Sequence, residues 1–138
     1  MNEEKQPIGL LTMTKKTKVG VFFGALYLGL GIMLGAFAAH GLKDTLSVYQ
    51  MGILQTGVKY QLIHGVALLI LGLFCSLYPQ KLFYVALICI AVGVGLFSFS
   101  LYAIALLGIS FLGIITPIGG VLMILGWVIT MYAVVRNK

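Results

Sequence analysis

Four apolar runs decide what this chain can become. They are VGVFFGALYLGLGIMLGAFAA (Val19–Ala39), VKYQLIHGVALLILGLFCSLY (Val58–Tyr78), the 26 residues Leu82–Leu107, and TPIGGVLMILGWVITMYAVV (Thr116–Val135). Their one charged residue is Lys59. A helix of about 20 residues rises about 30 Å and so crosses the hydrocarbon core of a bilayer. The whole sequence is 61 % hydrophobic and 9 % charged, where a soluble domain carries about 25 % charged residues. Its mean hydropathy is +1.11. A soluble core built from 138 residues cannot hide that much apolar surface, whereas lipid can. The expected fold is all-α, with four transmembrane helices in a single domain over 19–135.

The flanks set the orientation. Nine Lys and Arg stand against three acidic residues, a net charge of +6. The bases border the apolar runs and form no aromatic-basic stripe, so they speak for topology and anionic headgroups, not for nucleic acid. Four spans put both termini and the 79–81 turn on one side. That side holds Lys5, Lys15, Lys16, Lys18, Lys81, Arg136 and Lys138; the other holds Lys43 and Lys59. Both termini are therefore expected in the cytoplasm. Residues 1–18 read as a flexible basic tail, and 136–138 as a cytoplasmic C-terminus. Ala36-Phe37-Ala38 imitates a signal cleavage site, but signal cores are shorter, about 7–15 residues, so the first helix is read as retained.

Between the first two runs, Leu42, Leu46, Tyr49, Ile53, Thr56 and Tyr60 recur at helical spacing, which predicts a short interfacial helix. Gly41 suits a left-handed residue closing helix 1, and Asp44 suits the N-cap of that short helix. Pro79 ends the second run and leaves a tight hairpin. Thr116 and Pro117 read as N-cap and first residue of helix 4. Glycines recur in Gly20/Gly24 and Gly31/Gly35, with small faces at Gly65, Gly72 and Ser76 and at Ala91, Gly95 and Ser98. Such faces let helices approach closely, either within the chain or in a homo-oligomer. Cys75 and Cys89 are isolated in apolar runs and read as small hydrophobes.

The polar residues of the spans are few and uneven. His64, with Tyr60 and Gln61 on its face, lies near the outer end of helix 2. Tyr102 and Ser98 fall at similar depth on helix 3, Thr116 opens helix 4, and His40 ends helix 1. A membrane-buried ionisable residue such as His64 points to a functional site, or else serves as a packing hydrogen-bonder to Tyr102, Ser98 or a backbone carbonyl. His40 reads as a capping and interface-anchoring residue, Lys59 as snorkelling to the headgroups, and Trp127 as filling helix packing. There is no nucleophile–base–orienter set, no phosphate loop and no metal-ligand spacing. The expectation is a protein without enzymatic activity or cofactor.

The stretches GAFAAHGL (35–42), QTGVKYQLIH (55–64), LFSFSLY (96–102) and TPIGGVLMILGW (116–127) resemble domain-of-unknown-function family 423, the YwdK/YgdD-like small bacterial membrane proteins. The resemblance implies a four-helix protein of the cytoplasmic membrane and brings no activity with it. The positions it marks are His40, Tyr60, Gln61, His64, Ser98, Ser100, Tyr102, Thr116 and Pro117. Ala38 and Phe99 stand where the family pattern usually reads Gly, and Phe99 is expected to alter the approach of helix 3 to a neighbour. Two functions stay open: an accessory or membrane-organising component, and a small proton-coupled carrier built around His64 that needs oligomers to enclose a path. The small-molecule ligand, if there is one, is not specified.

Overall fold

A computed structural model describes residues 13–78 and 80–136. Its elements are α1 (Lys15–His40), α2 (Val48–Leu77), α3 (Lys81–Leu107), a 3₁₀ helix (Ser110–Ile114) and α4 (Ile115–Arg136). The tail up to residue 12, Pro79 and residues 137–138 lie outside the described residues.

Side-chain caps start α1 and α2, and three of the four helix starts differ from the sequence reading. The Thr14 hydroxyl accepts the Thr17 N–H at 3.2 Å, so α1 begins at Lys15. Lys15, Lys16 and Lys18 thus ride on its first turns and do not belong to a flexible tail. Asp44 caps nothing and lies in a turn. The N-cap of α2 is Ser47, whose hydroxyl accepts the Gln50 N–H at 3.2 Å while Gln50 Oε1 accepts the Ser47 N–H at 3.0 Å. This reciprocal pair satisfies two amides that a helix start leaves open. The short helix expected before the second span is therefore the first turns of a continuous 30-residue α2. Gly57 does not interrupt it, because that glycine is pressed against Tyr102 and the Ser98 carbonyl of α3.

Gly41 closes α1 at φ −92°, in the right-handed region. Its small size is used for space: a Cβ there would fall 2.7 Å from the Phe37 ring. The left-handed glycine is Gly108, φ +68°, which stops α3. Thr116 is not the N-cap of α4, because the 3₁₀ helix leads straight into Ile115. Pro117 becomes the third residue, still in the first turn, where its missing N–H costs nothing.

Lipid fixes which way the helices face. All four are long and apolar enough to span a membrane. The bundle is laid out in chain order: α1 packs on α2, α2 on α3 and α3 on α4, with slight contact between α1 and α3. Among the described residues α1 and α4 do not meet. The central pair carries the core, in which Leu68, Leu87, Ile90 and Val94 are fully buried. Each outer helix buries one stripe: Thr17, Gly20, Gly24, Tyr27, Gly31 and Ala38 on α1, and Gly119, Met123, Gly126 and Ala133 on α4.

These stripes are glycine seams. A Cβ on Gly20 would sit 2.6 Å from the Gly72 Cα, and one on Gly24 would sit 2.8 Å from the Gly65 carbonyl. On the other flank, a Cβ on Gly119 would lie 2.5 Å from the Phe97 nitrogen and 2.6 Å from the Gly93 carbonyl. Close backbone approach maximises van der Waals contact where water supplies no driving force. The seams are filled within one chain, so these glycines are not left open to a second copy.

Candidate functional site

The polar side chains are placed by four helices and close on one another. Gln61 of α2 is fully buried. Its Nε2 donates to the Tyr27 carbonyl of α1 at 2.8 Å, and its Oε1 accepts the Tyr102 hydroxyl of α3 at 2.7 Å. One carboxamide thus joins three helices. The Tyr27 hydroxyl donates to the Ala91 carbonyl of α3 at 2.8 Å. The Ser98 hydroxyl donates to the Gly57 carbonyl of α2 at 2.9 Å.

His64 belongs to a second group. About half-way along α2, its Nδ1 lies 2.8 Å from the Tyr60 carbonyl, and its Nε2 receives the indole N–H of Trp127 on α4 at 3.2 Å. A carbonyl only accepts and an indole N–H only donates. The imidazole is therefore neutral, with its proton on Nδ1. The Tyr60 ring stacks on it, with centroids 6.0 Å apart and planes 9° apart, and packs on Phe97 at 4.8 Å. Because α2 and α4 have no close backbone approach, the His64–Trp127 bond is a side-chain bridge over α3.

A third pair joins Ser100 of α3 to Thr116 of α4, hydroxyl to hydroxyl at 2.7 Å. Ser100 also donates to the Phe97 carbonyl at 2.8 Å.

The sequence thus points to the right polar residues but groups them too simply. Gln61, Tyr102 and Ser98 meet; His64 turns away from them toward α4, so neither Tyr102 nor Ser98 is its partner. A step of three residues on α2 leaves Gln61 and His64 on one face but about 60° apart around the axis, so Gln61 meets α1 and α3 while His64 reaches α4. His40 is exposed at the end of α1 and joins none of these groups. Phe99 is exposed and lies edge-on to Tyr27 of α1 at 6.2 Å and to Tyr102 at 6.0 Å. Two partners escape the sequence reading. Tyr27 continues the Gly20/Gly24 spacing by three residues, which places it on the same buried stripe. Trp127 does more than fill space, and its N–H gives no separate signal in the sequence.

Among the described residues no buried side-chain nitrogen or oxygen lacks a hydrogen-bond partner, and no group of three His, Cys, Asp or Glu could hold a metal. A groove of about 450 Å³ opens beside the second group, lined by Tyr49, Ile53, Phe97, Leu101, Thr116 and Pro117 among others.

Comparison with known proteins places this arrangement. The model of a family described as "Protein of unknown function (DUF423)" matches residues 34–120. The chain belongs to the DUF423 family. A "UPF0382 membrane protein" of Staphylococcus epidermidis is 40 % identical over 119 residues, covering 86 % of this chain and 97 % of the relative. One of Staphylococcus aureus is 38 % identical over 116 residues, 84 % of this chain and 94 % of the relative. The "UPF0382 inner membrane protein YgdD" of Escherichia coli is 36 % identical over 118 residues, 86 % of this chain and 90 % of the relative. No solved structure matches. The DUF423 match takes in His40, Tyr60, Gln61, His64, Ser98, Ser100, Tyr102 and Thr116 and leaves Tyr27 and Trp127 outside it. With relatives named as inner-membrane proteins and four spans of its own, this DUF423 chain is a multi-pass protein of the bacterial cytoplasmic membrane.

Proposed function

We propose that the chain is a non-enzymatic accessory or membrane-organising component, a single four-helix unit running from α1 to α4 with both termini in the cytoplasm. One observation carries this reading: among the described residues, each buried polar side-chain atom is closed on another group of the same chain. Chemistry or transport needs a group held free for a substrate, and here the hydrogen-bonding capacity is spent on helix contacts. The roles of Tyr60, Gln61, His64, Ser98, Ser100, Tyr102 and Thr116 are then those of connectors, while His40, Gly41 and Asp44 stand at the end of α1 and in the turn that follows it.

The rival is a small proton-coupled carrier. What favours it is the groove between α2 and α4, whose Phe97 wall backs onto the Tyr60 ring that stacks on His64. The two readings separate in liposomes carrying a pH-sensitive dye. The connector reading expects no proton flux above empty vesicles and lower thermal stability for His64→Ala. Flux in the wild type that His64→Ala abolishes would establish the carrier instead.

Orientation is tested by single cysteines in a chain with Cys75 and Cys89 replaced by alanine. A cysteine at Thr45 is expected to react with an impermeant maleimide added to intact cells, and one at Gln80 only after lysis. The opposite pattern would turn the protein over.

A further inference from the structure

Among the described residues, the termini end of the bundle carries charged side chains of one sign, all basic. Among the described residues it holds Lys15, Lys16 and Lys18 on α1, Lys81 at the start of α3 and Arg136 at the end of α4. Asp44, the one acidic residue described, lies in the turn at the opposite end. Lys16 is engaged over the Tyr84 ring, 5.5 Å from its centroid. Lys81 and Arg136 come from different helices and line one cavity of about 370 Å³ with Gln80 and Leu82. The first amides of α3 open toward this end.

We propose that this cavity seats the headgroup phosphate of an anionic phospholipid. The guanidinium of Arg136 forks two phosphate oxygens and the Lys81 ammonium supplies a second point charge. Leu82 forms the apolar wall along which the first acyl carbons descend. The site lies where two spans end, at headgroup depth, so the lipid reaches it from the bilayer plane. A choline headgroup brings its own cation toward the same two side chains and is disfavoured. The inference goes beyond the proposed function and does not depend on which of its two readings holds.

The test is native mass spectrometry of the full chain in detergent, titrated with phosphatidylglycerol or with phosphatidylcholine. Phosphatidylglycerol is expected to be retained preferentially. At about 1 kcal/mol per basic residue near a membrane surface, Lys81→Ala and Arg136→Ala each weaken it about five-fold and the double variant about thirty-fold. Lys81→Arg and the opposite-end Lys43→Ala are expected to bind as the wild type does, which separates loss of charge from loss of fold. Wild-type binding by the double variant, equal retention of the two lipids, or displacement of the lipid by millimolar inorganic phosphate would each overturn the proposal.

Discussion

Gly119→Ala is expected to destabilise the purified protein by about 1–3 kcal/mol, the usual range for overpacking a tight contact. The new methyl group would lie 2.5 Å from the Phe97 nitrogen and 2.6 Å from the Gly93 carbonyl. Both are backbone atoms of α3, which cannot swing aside as a side chain can. The whole of α4 must withdraw, and with it the Ser100–Thr116 and Trp127–His64 bonds. Gly29→Ala is the matched control: nothing lies within 4 Å of its Cβ position, and replacing an exposed helical glycine by alanine gains about 0.5–1 kcal/mol. Thermal denaturation in one detergent should therefore move in opposite directions for the two changes. Equal shifts would mean that the α3–α4 seam is looser than these distances require.

Gln61→Leu should cost about 1–3 kcal/mol, because the buried Tyr102 hydroxyl loses its acceptor. Adding Tyr102→Phe removes the stranded hydroxyl, and the double variant should recover much of that loss. The Tyr27 carbonyl needs no rescue, since as a helix carbonyl it keeps its backbone partner. A double-mutant cycle on thermal stability reads this directly. Strict additivity of the two changes would show that Gln61 and Tyr102 do not touch. Cycles on interhelical hydrogen bonds in one other membrane protein average about 0.6 kcal/mol; a larger coupling is expected here because a single carboxamide holds α1 and α3 at once.

The spans were legible because nothing except lipid accommodates 20-residue apolar runs, and the family because its motifs fall on all four helices. What the sequence concealed was set by competition between local signals. Asp44 is a good N-cap in isolation, but Ser47 has Gln50 three residues on and so closes two amides where Asp44 closes none. Gly52 and Gly57 are poor helix formers, yet α2 runs through both, and Gly57 is pressed against Tyr102 and the Ser98 carbonyl of α3. The facing of His64 was hidden for another reason. Its partner is an indole 63 residues away, and spacing along one helix does not say which neighbour stands opposite. Tyr27 was within reach, since it shares the period of the glycines around it.

Polar side chains in this bundle are spent in joining helices, and His64 is where that claim is most exposed to test. Nitrogen-15 NMR of the imidazole in lipid at neutral pH distinguishes the two neutral tautomers and the charged ring. The structure requires a single neutral form, protonated at Nδ1 and bare at Nε2, with the Nε2 signal shifting in Trp127→Phe. A ring protonated at Nε2, a charged ring, or a spectrum indifferent to Trp127 would contradict it.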